Sequence, residues 1–101
     1  MGNFVKVAQQ SEIPEGTGKR VELGGKEVAV FNSGGNFYAI ENTCCHRGGP
    51  LAEGDVDGTT VTCPWHGWEY NITTGQNLDD EKIKVARFNV KLEGDDVLIE
   101  T

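Results

Sequence analysis

Paired turn residues recur along this chain at intervals too short to leave room for long helices. Gly24-Gly25, Ser33-Gly34-Gly35, Asp57-Gly58, Thr74-Gly75 and Glu93-Gly94-Asp95 all tolerate the positive φ that tight hairpin turns require. Between them lie short runs with strand character: Phe4 to Ala8, Arg20 to Leu23, Glu27 to Asn32, Asn36 to Glu41, Thr59 to Cys63, Glu69 to Ile72, Arg87 to Leu92 and Asp96 to Glu100. No window of about 11 residues carries a helical stripe. The spacing therefore predicts an all-β, antiparallel fold in which any helix is a single short turn. Phe88, Val90 and Leu92 alternate with polar residues, whereas Ile83 and Val85 alternate in the opposite phase. A one-residue slip reverses every side chain, so a bend or bulge is expected near Ala86.

At 101 residues the chain is expected to form one domain, 1–101, since an independent core needs about 50 residues or more. Sixteen acids against nine Lys and Arg give a formal charge of -7, which argues against nucleic acid and suits either a protein partner with a basic patch or solubility alone. The N-terminus lacks a charged-then-apolar signal pattern, and no run approaches the roughly 18 apolar residues of a membrane span. A soluble, cytoplasmic protein with no membrane attachment is the expectation.

The stretch from Thr43 to Asn71 breaks the hairpin rhythm and holds all three Cys, both His and both Trp. Cys44 and His46 form a Cys-x-His pair, and Cys63 and His66 a Cys-x-x-His pair after a gap of sixteen residues. Three Cys are too few for the disulfide framework of a small secreted domain, and they ask for a metal-site explanation. Structural zinc sites commonly pair like ligands, but here each pair is mixed. Two facing mixed pairs can put both thiolates on one metal and both imidazoles on another, which suits an asymmetric two-iron site. A structural zinc site in the same four residues remains open. Arg47-Gly48-Gly49 and Gly67-Trp68 are candidates to turn backbone N–H groups toward bridging sulfides.

The two boxes, with Arg47-Gly48-x-Pro50-Leu51, Cys63-Pro64-Trp65-His66-Gly67-Trp68 and Thr74-Gly75, resemble the Rieske family. The resemblance implies three stacked antiparallel sheets with two cluster-binding loops within 43–71. It also implies one [2Fe-2S] cluster held by Cys44, His46, Cys63 and His66, with the imidazole edges of the two His as the electron port. Membrane-bound relatives in cytochrome bc complexes carry a disulfide between the loops and a membrane helix. Here the disulfide positions are Gly49 and Trp65, so the chain resembles the soluble branch. High-potential members have Ser two residues after the second ligand His and Tyr four residues after it, whose hydroxyls bond to a bridging sulfide and a ligand thiolate. Here those positions are Trp68 and Tyr70, so the resemblance implies a lower potential.

A Rieske oxygenase needs a second, mononuclear iron, typically on two His and a carboxylate, yet this chain has only two His. It also lacks a Gly-x-Gly-x-x-Gly fingerprint. The expectation is an electron carrier, not an enzyme. It would take one electron from a reductase and pass it to a terminal oxygenase or other redox protein, as the ferredoxin component of a multicomponent system. The alternatives are a small subunit of a nitrite reductase and a zinc-stabilised binding module with no redox role. Cys45 is expected to be a bystander, with redox sensitivity as its alternative, and Arg47 a solvated charge, while Trp65, Trp68 and Leu51 are expected to pack around the site.

Overall fold

The computed structural model describes residues 3–42, 50–65, 67–80 and 82–100. Among the described residues ten strands run in chain order: β1 Phe4–Gln9, β2 Thr17–Leu23, β3 Lys26–Ser33, β4 Asn36–Glu41, β5 Asp55–Asp57, β6 Thr60–Thr62, β7 Glu69–Asn71, β8 Arg87–Phe88, β9 Val90–Glu93 and β10 Asp96–Glu100. Two single turns of 3-10 helix, Gln10–Glu12 and Leu51–Glu53, are the helical elements among the described residues. The strands form three antiparallel sheets, β1-β10-β9, β2-β3-β4-β8 and β5-β6-β7. All-β architecture and three sheets agree with the expectation from sequence.

The hairpin turns lie where the glycine pairs put them. Leu23 pairs with Lys26 and Ser33 with Asn36, so each loop is two residues long. Gly24 and Gly25 have φ of 60° and 83°, the left-handed pair that matches the twist of the flanking strands.

The second sheet is the middle layer, and its central strands β3 and β4 are apolar on both faces. Val28, Val30, Phe37 and Ala39 point into one core with Ala8, Val97 and Ile99 of the first sheet. Ala29, Phe31 and Ile40 point into the other with Val61, Tyr70 and Ile72 of the third sheet and Leu51 and Ala52 of the second 3-10 turn. Val28, Ala29, Val30 and Phe31 are all fully buried, the unbroken apolar run expected of a strand covered on both sides.

The expected bend or bulge near Ala86 falls where the chain changes partners, from Gln76 at Lys84 to Ile40 of β4 at Arg87. Val85 is buried in the core shared with the third sheet, with Ile83 packed against it, whereas Phe88 and Val90 pack on the other core. The reversal of phase reflects two cores. The interruption falls at Asn89, where the chain leaves β4 through β8 and joins β10 through β9. The expected strand from Arg87 to Leu92 is therefore two strands in two sheets. A register shift also occurs in β1, where the pairing with β10 slips between Lys6 and Ala8. β5 had no sequence signal, because Asp55-Val56-Asp57 offers one apolar residue between two poor strand formers. Pairing of Val56 with Val61 across the hairpin holds it.

Three glycines set close approaches near the third sheet. A Cβ on Gly18 would meet the Phe31 ring at 2.6 Å and the Ala52 carbonyl oxygen at 2.9 Å, and one on Gly54 would meet the Thr62 carbonyl oxygen at 2.1 Å. Gly75 combines φ of 80° with a Cβ position 2.2 Å from the Val85 carbonyl oxygen. Gly75→Ala is expected to cost at least about 2 kcal/mol, because backbone strain and steric overlap add there. Gly24→Ala, over open space, should cost about 1 kcal/mol from its left-handed backbone alone. Urea denaturation of the two variants side by side checks the difference.

Candidate functional site

Of the four ligand candidates, Cys63 lies among the described residues, while Cys44, His46 and His66 lie outside them, as do Cys45 and Arg47-Gly48-Gly49. Cys63 directly follows β6. Its N–H donates to the Trp68 carbonyl at 2.7 Å, and its own carbonyl accepts from the Gly67 N–H at 3.0 Å. These two bonds close the tip between β6 and β7 and fix the backbone on either side of position 66. Gly67 has φ of 76° with open space around its Cβ position, so glycine answers a conformational need there. Its N–H was expected to be available for a bridging sulfide; the structure gives it to the Cys63 carbonyl instead, which is what closes the turn.

Cys63 is 1% exposed and shares a core cluster with Leu51, Val61, Tyr70 and Ile40, with Trp68 packed against that cluster. Leu51 and Trp68 therefore pack as expected. Trp65 is 61% exposed, and the ligand residues it was expected to pack around lie outside the described residues. The segment 43–49 departs from Asn42, just after β4, and returns at Pro50, just before the second 3-10 turn. Leu51 from that return and Cys63 from the hairpin meet in one core, so the stems of both ligand segments converge. A buried thiol donor at this junction, with a second thiol and two imidazoles contributed by the converging segments, fits the donor set of a mixed Cys and His iron-sulfur centre.

The charge of the molecule is unevenly distributed. Residues 48–81 hold seven of the sixteen acids and none of the nine Lys and Arg, so the rest of the chain, with nine of each, is balanced. Asp55, Thr62 and Glu69 stand in one register row across the third sheet, as do Asp57, Thr60 and Asn71. Val61 and Tyr70 between these rows point into the core, so the rows line the outer face. The Glu12 carboxyl is held below its ordinary range, chiefly by a hydrogen bond from Lys19 and also by the Gln9 N–H. It belongs to the first 3-10 turn, not to the sheet that leads into Cys63.

Residues 3–94 match the family model of the Rieske [2Fe-2S] domain. The chain belongs to this family. Its cofactor is accordingly one [2Fe-2S] cluster. Ferredoxin CarAc of Metapseudomonas resinovorans is 41% identical over 73 residues, 71% of this chain and 68% of that protein. A solved chain from the complex of reduced oxygenase and oxidized ferredoxin in carbazole 1,9a-dioxygenase is 33% identical, with a TM-score of 0.87 over 96% of this chain and 92% of that one. A structure described as an NADH-dependent nitrite reductase small subunit from Mycobacterium tuberculosis has a TM-score of 0.93 over 100% of this Rieske chain and 96% of its own, but at 19% identity it shows the fold alone.

Sequence reasoning passed over Asn42, Gly18 and Gly54, which fix the return of the first ligand segment. The available signal was a polar residue ending the apolar run Phe37 to Ile40 two positions before Cys44.

Tyr70 is fully buried in the cluster that holds Cys63, and Trp68 packs on that cluster. Hydrogen bonds near cluster sulfurs raise the potential of such centres. Tyr70→Phe, which keeps the ring and removes the hydroxyl, is expected to lower the reduction potential, and Trp68→Ser to raise it. Protein-film voltammetry should place the wild type below zero, in the lower part of a range of about -150 to +300 mV.

Proposed function

We propose that this Rieske protein is the ferredoxin component of a multicomponent oxygenase, binding its cluster through Cys44, His46, Cys63 and His66. Residues 1–101 act as one domain in this reading, and the protein works in the cytoplasm. The observation that carries it is the convergence of the two ligand-segment stems on the buried Cys63, in a chain whose relatives are ferredoxins of dioxygenase systems. When bound, the cluster supplies a one-electron redox centre. The chain's own residues bury Cys63 and tie its backbone to Gly67 and Trp68, and Trp65 is exposed. An electron-donating reductase and an electron-accepting terminal oxygenase are the partners. The nitrite reductase reading rests on a shared fold, whereas the ferredoxin reading also has sequence identity. Family membership displaces the zinc module.

Among the described residues no helix is long and apolar enough to cross a membrane. The one-sided placement of negative charge beside the Cys63 hairpin favours partners with basic docking faces.

Two experiments test this reading. Anaerobically purified protein is expected to contain two irons and two acid-labile sulfides per chain, with a rhombic EPR signal on reduction, and His66→Ala should abolish both. A cluster retained by His66→Ala would remove that residue from the ligand set. In the second, the purified chain should oxidise no organic substrate alone, yet support turnover when mixed with a matching reductase and oxygenase. The rate of its reduction should fall as salt rises through about 0.15 M, where attraction between exposed charges more than about 8 Å apart is largely screened. A salt-independent rate would count against steering by the acidic face.

A further inference from the structure

Asn42 is 2% exposed and directly follows β4, immediately before the first ligand segment. Its backbone carbonyl accepts from the Leu51 N–H at 2.7 Å, and its side-chain oxygen accepts from the Ala52 N–H at 2.8 Å. Leu51 and Ala52 open the second 3-10 turn, whose own N-cap residue, Pro50, makes no side-chain capping bond. Asn42 thus caps that turn from the far side of segment 43–49, joining the place where the chain leaves to the place where it returns. On its other side, Asn42 is itself held to Glu27 of β3. The Asn42 N–H donates to the Glu27 carbonyl at 3.0 Å, and the Asn42 amide donates to the Glu27 carboxylate at 3.3 Å.

The capped turn is also registered against the second ligand segment. Ala52 lies over Gly18, where a Cβ would meet its carbonyl oxygen at 2.9 Å. Two residues later Gly54 abuts the Thr62 carbonyl, the last group before Cys63. A short path of fixed backbone therefore runs from Asn42 through Ala52 and Gly54 to Thr62 and Cys63. A shift of Ala52 away from Asn42 would move Pro50, where the first ligand segment ends, relative to Cys63.

We propose that Asn42 is a positioning residue for the cluster, a side-chain clamp that sets the separation of the Cys44–His46 segment from Cys63 and His66. This rests on the ligand assignment above. Asn42→Ala leaves the backbone bond to Leu51 and removes both side-chain bonds. It is expected to release iron to a chelator about tenfold faster than wild type, the scale of one buried donor left unpaired, and to shift the g values of the reduced cluster. Ile99→Ala, in the core on the other face of the middle sheet, serves as the comparison for a plain loss of stability. It should lower the melting temperature without altering the EPR spectrum.

The reversed pair Asn42→Asp with Glu27→Gln keeps an acceptor for Ala52 and restores a donor between positions 27 and 42. It should return release to within about twofold of wild type, whereas Asn42→Asp alone should not. Wild-type g values in Asn42→Ala, with release no faster than in Ile99→Ala, would overturn the clamp. If Asn42→Ala does not accumulate, the two Asp variants decide: rescue supports the clamp, and equal release overturns it. Full cluster content in Cys44→Ala would instead overturn the ligand assignment and this role together.

Discussion

The burial of the middle sheet on both faces is the constraint on which the rest of the molecule depends. A strand such as β3, with Val28 to Phe31 fully buried, has no polar face to offer water. It requires a layer on each side, and the chain supplies them from its two ends and its middle. β1, β9 and β10 cover one face, and β5 to β7 with Leu51 and Ala52 cover the other. Each outer sheet needs only one apolar face, which frees the outer face of the third sheet for Asp55, Asp57 and Glu69.

The two cores have different tasks. The one beneath the first sheet is built from Val, Ile, Ala and Phe side chains and meets no ligand candidate among the described residues. The other contains Cys63 and Tyr70 and is crossed by backbone that glycine alone admits, at Gly18 and Gly54. Packing there is set by carbonyl positions as much as by side chains. Such a region holds donor atoms in place but has little room to adapt to substitution.

Much of this architecture was legible because local signals and fold agree. The glycine pairs gave the hairpins, and strands β1, β3, β4 and β10 were read to within a residue at either end. The family signal lay in two short boxes whose spacing is unusual for any other metal site. What escaped notice had physical reasons. β5 is three residues held by its neighbours, so propensity could not reveal it. The phase reversal between Val85 and Phe88 pointed to a bend but not to its cause, which is that each residue faces its own core. Asn42 went unremarked because its meaning lies in a partner ten residues away.

The pairing of β1 with β10 joins residues 4–9 to 96–100, so the first sheet spans nearly the whole described chain. The third sheet, by contrast, consists of two successive hairpins within residues 55–71. Closing a long loop loses more chain entropy than closing a short one, and contacts distant in sequence form later in folding. The half of the molecule that carries Cys63 therefore has the lower contact order. Its hairpins can assemble on the middle sheet while the first layer still waits for the C-terminal strand, which makes closure of the distal layer, rather than assembly of the metal-bearing one, the topologically slow event in this fold.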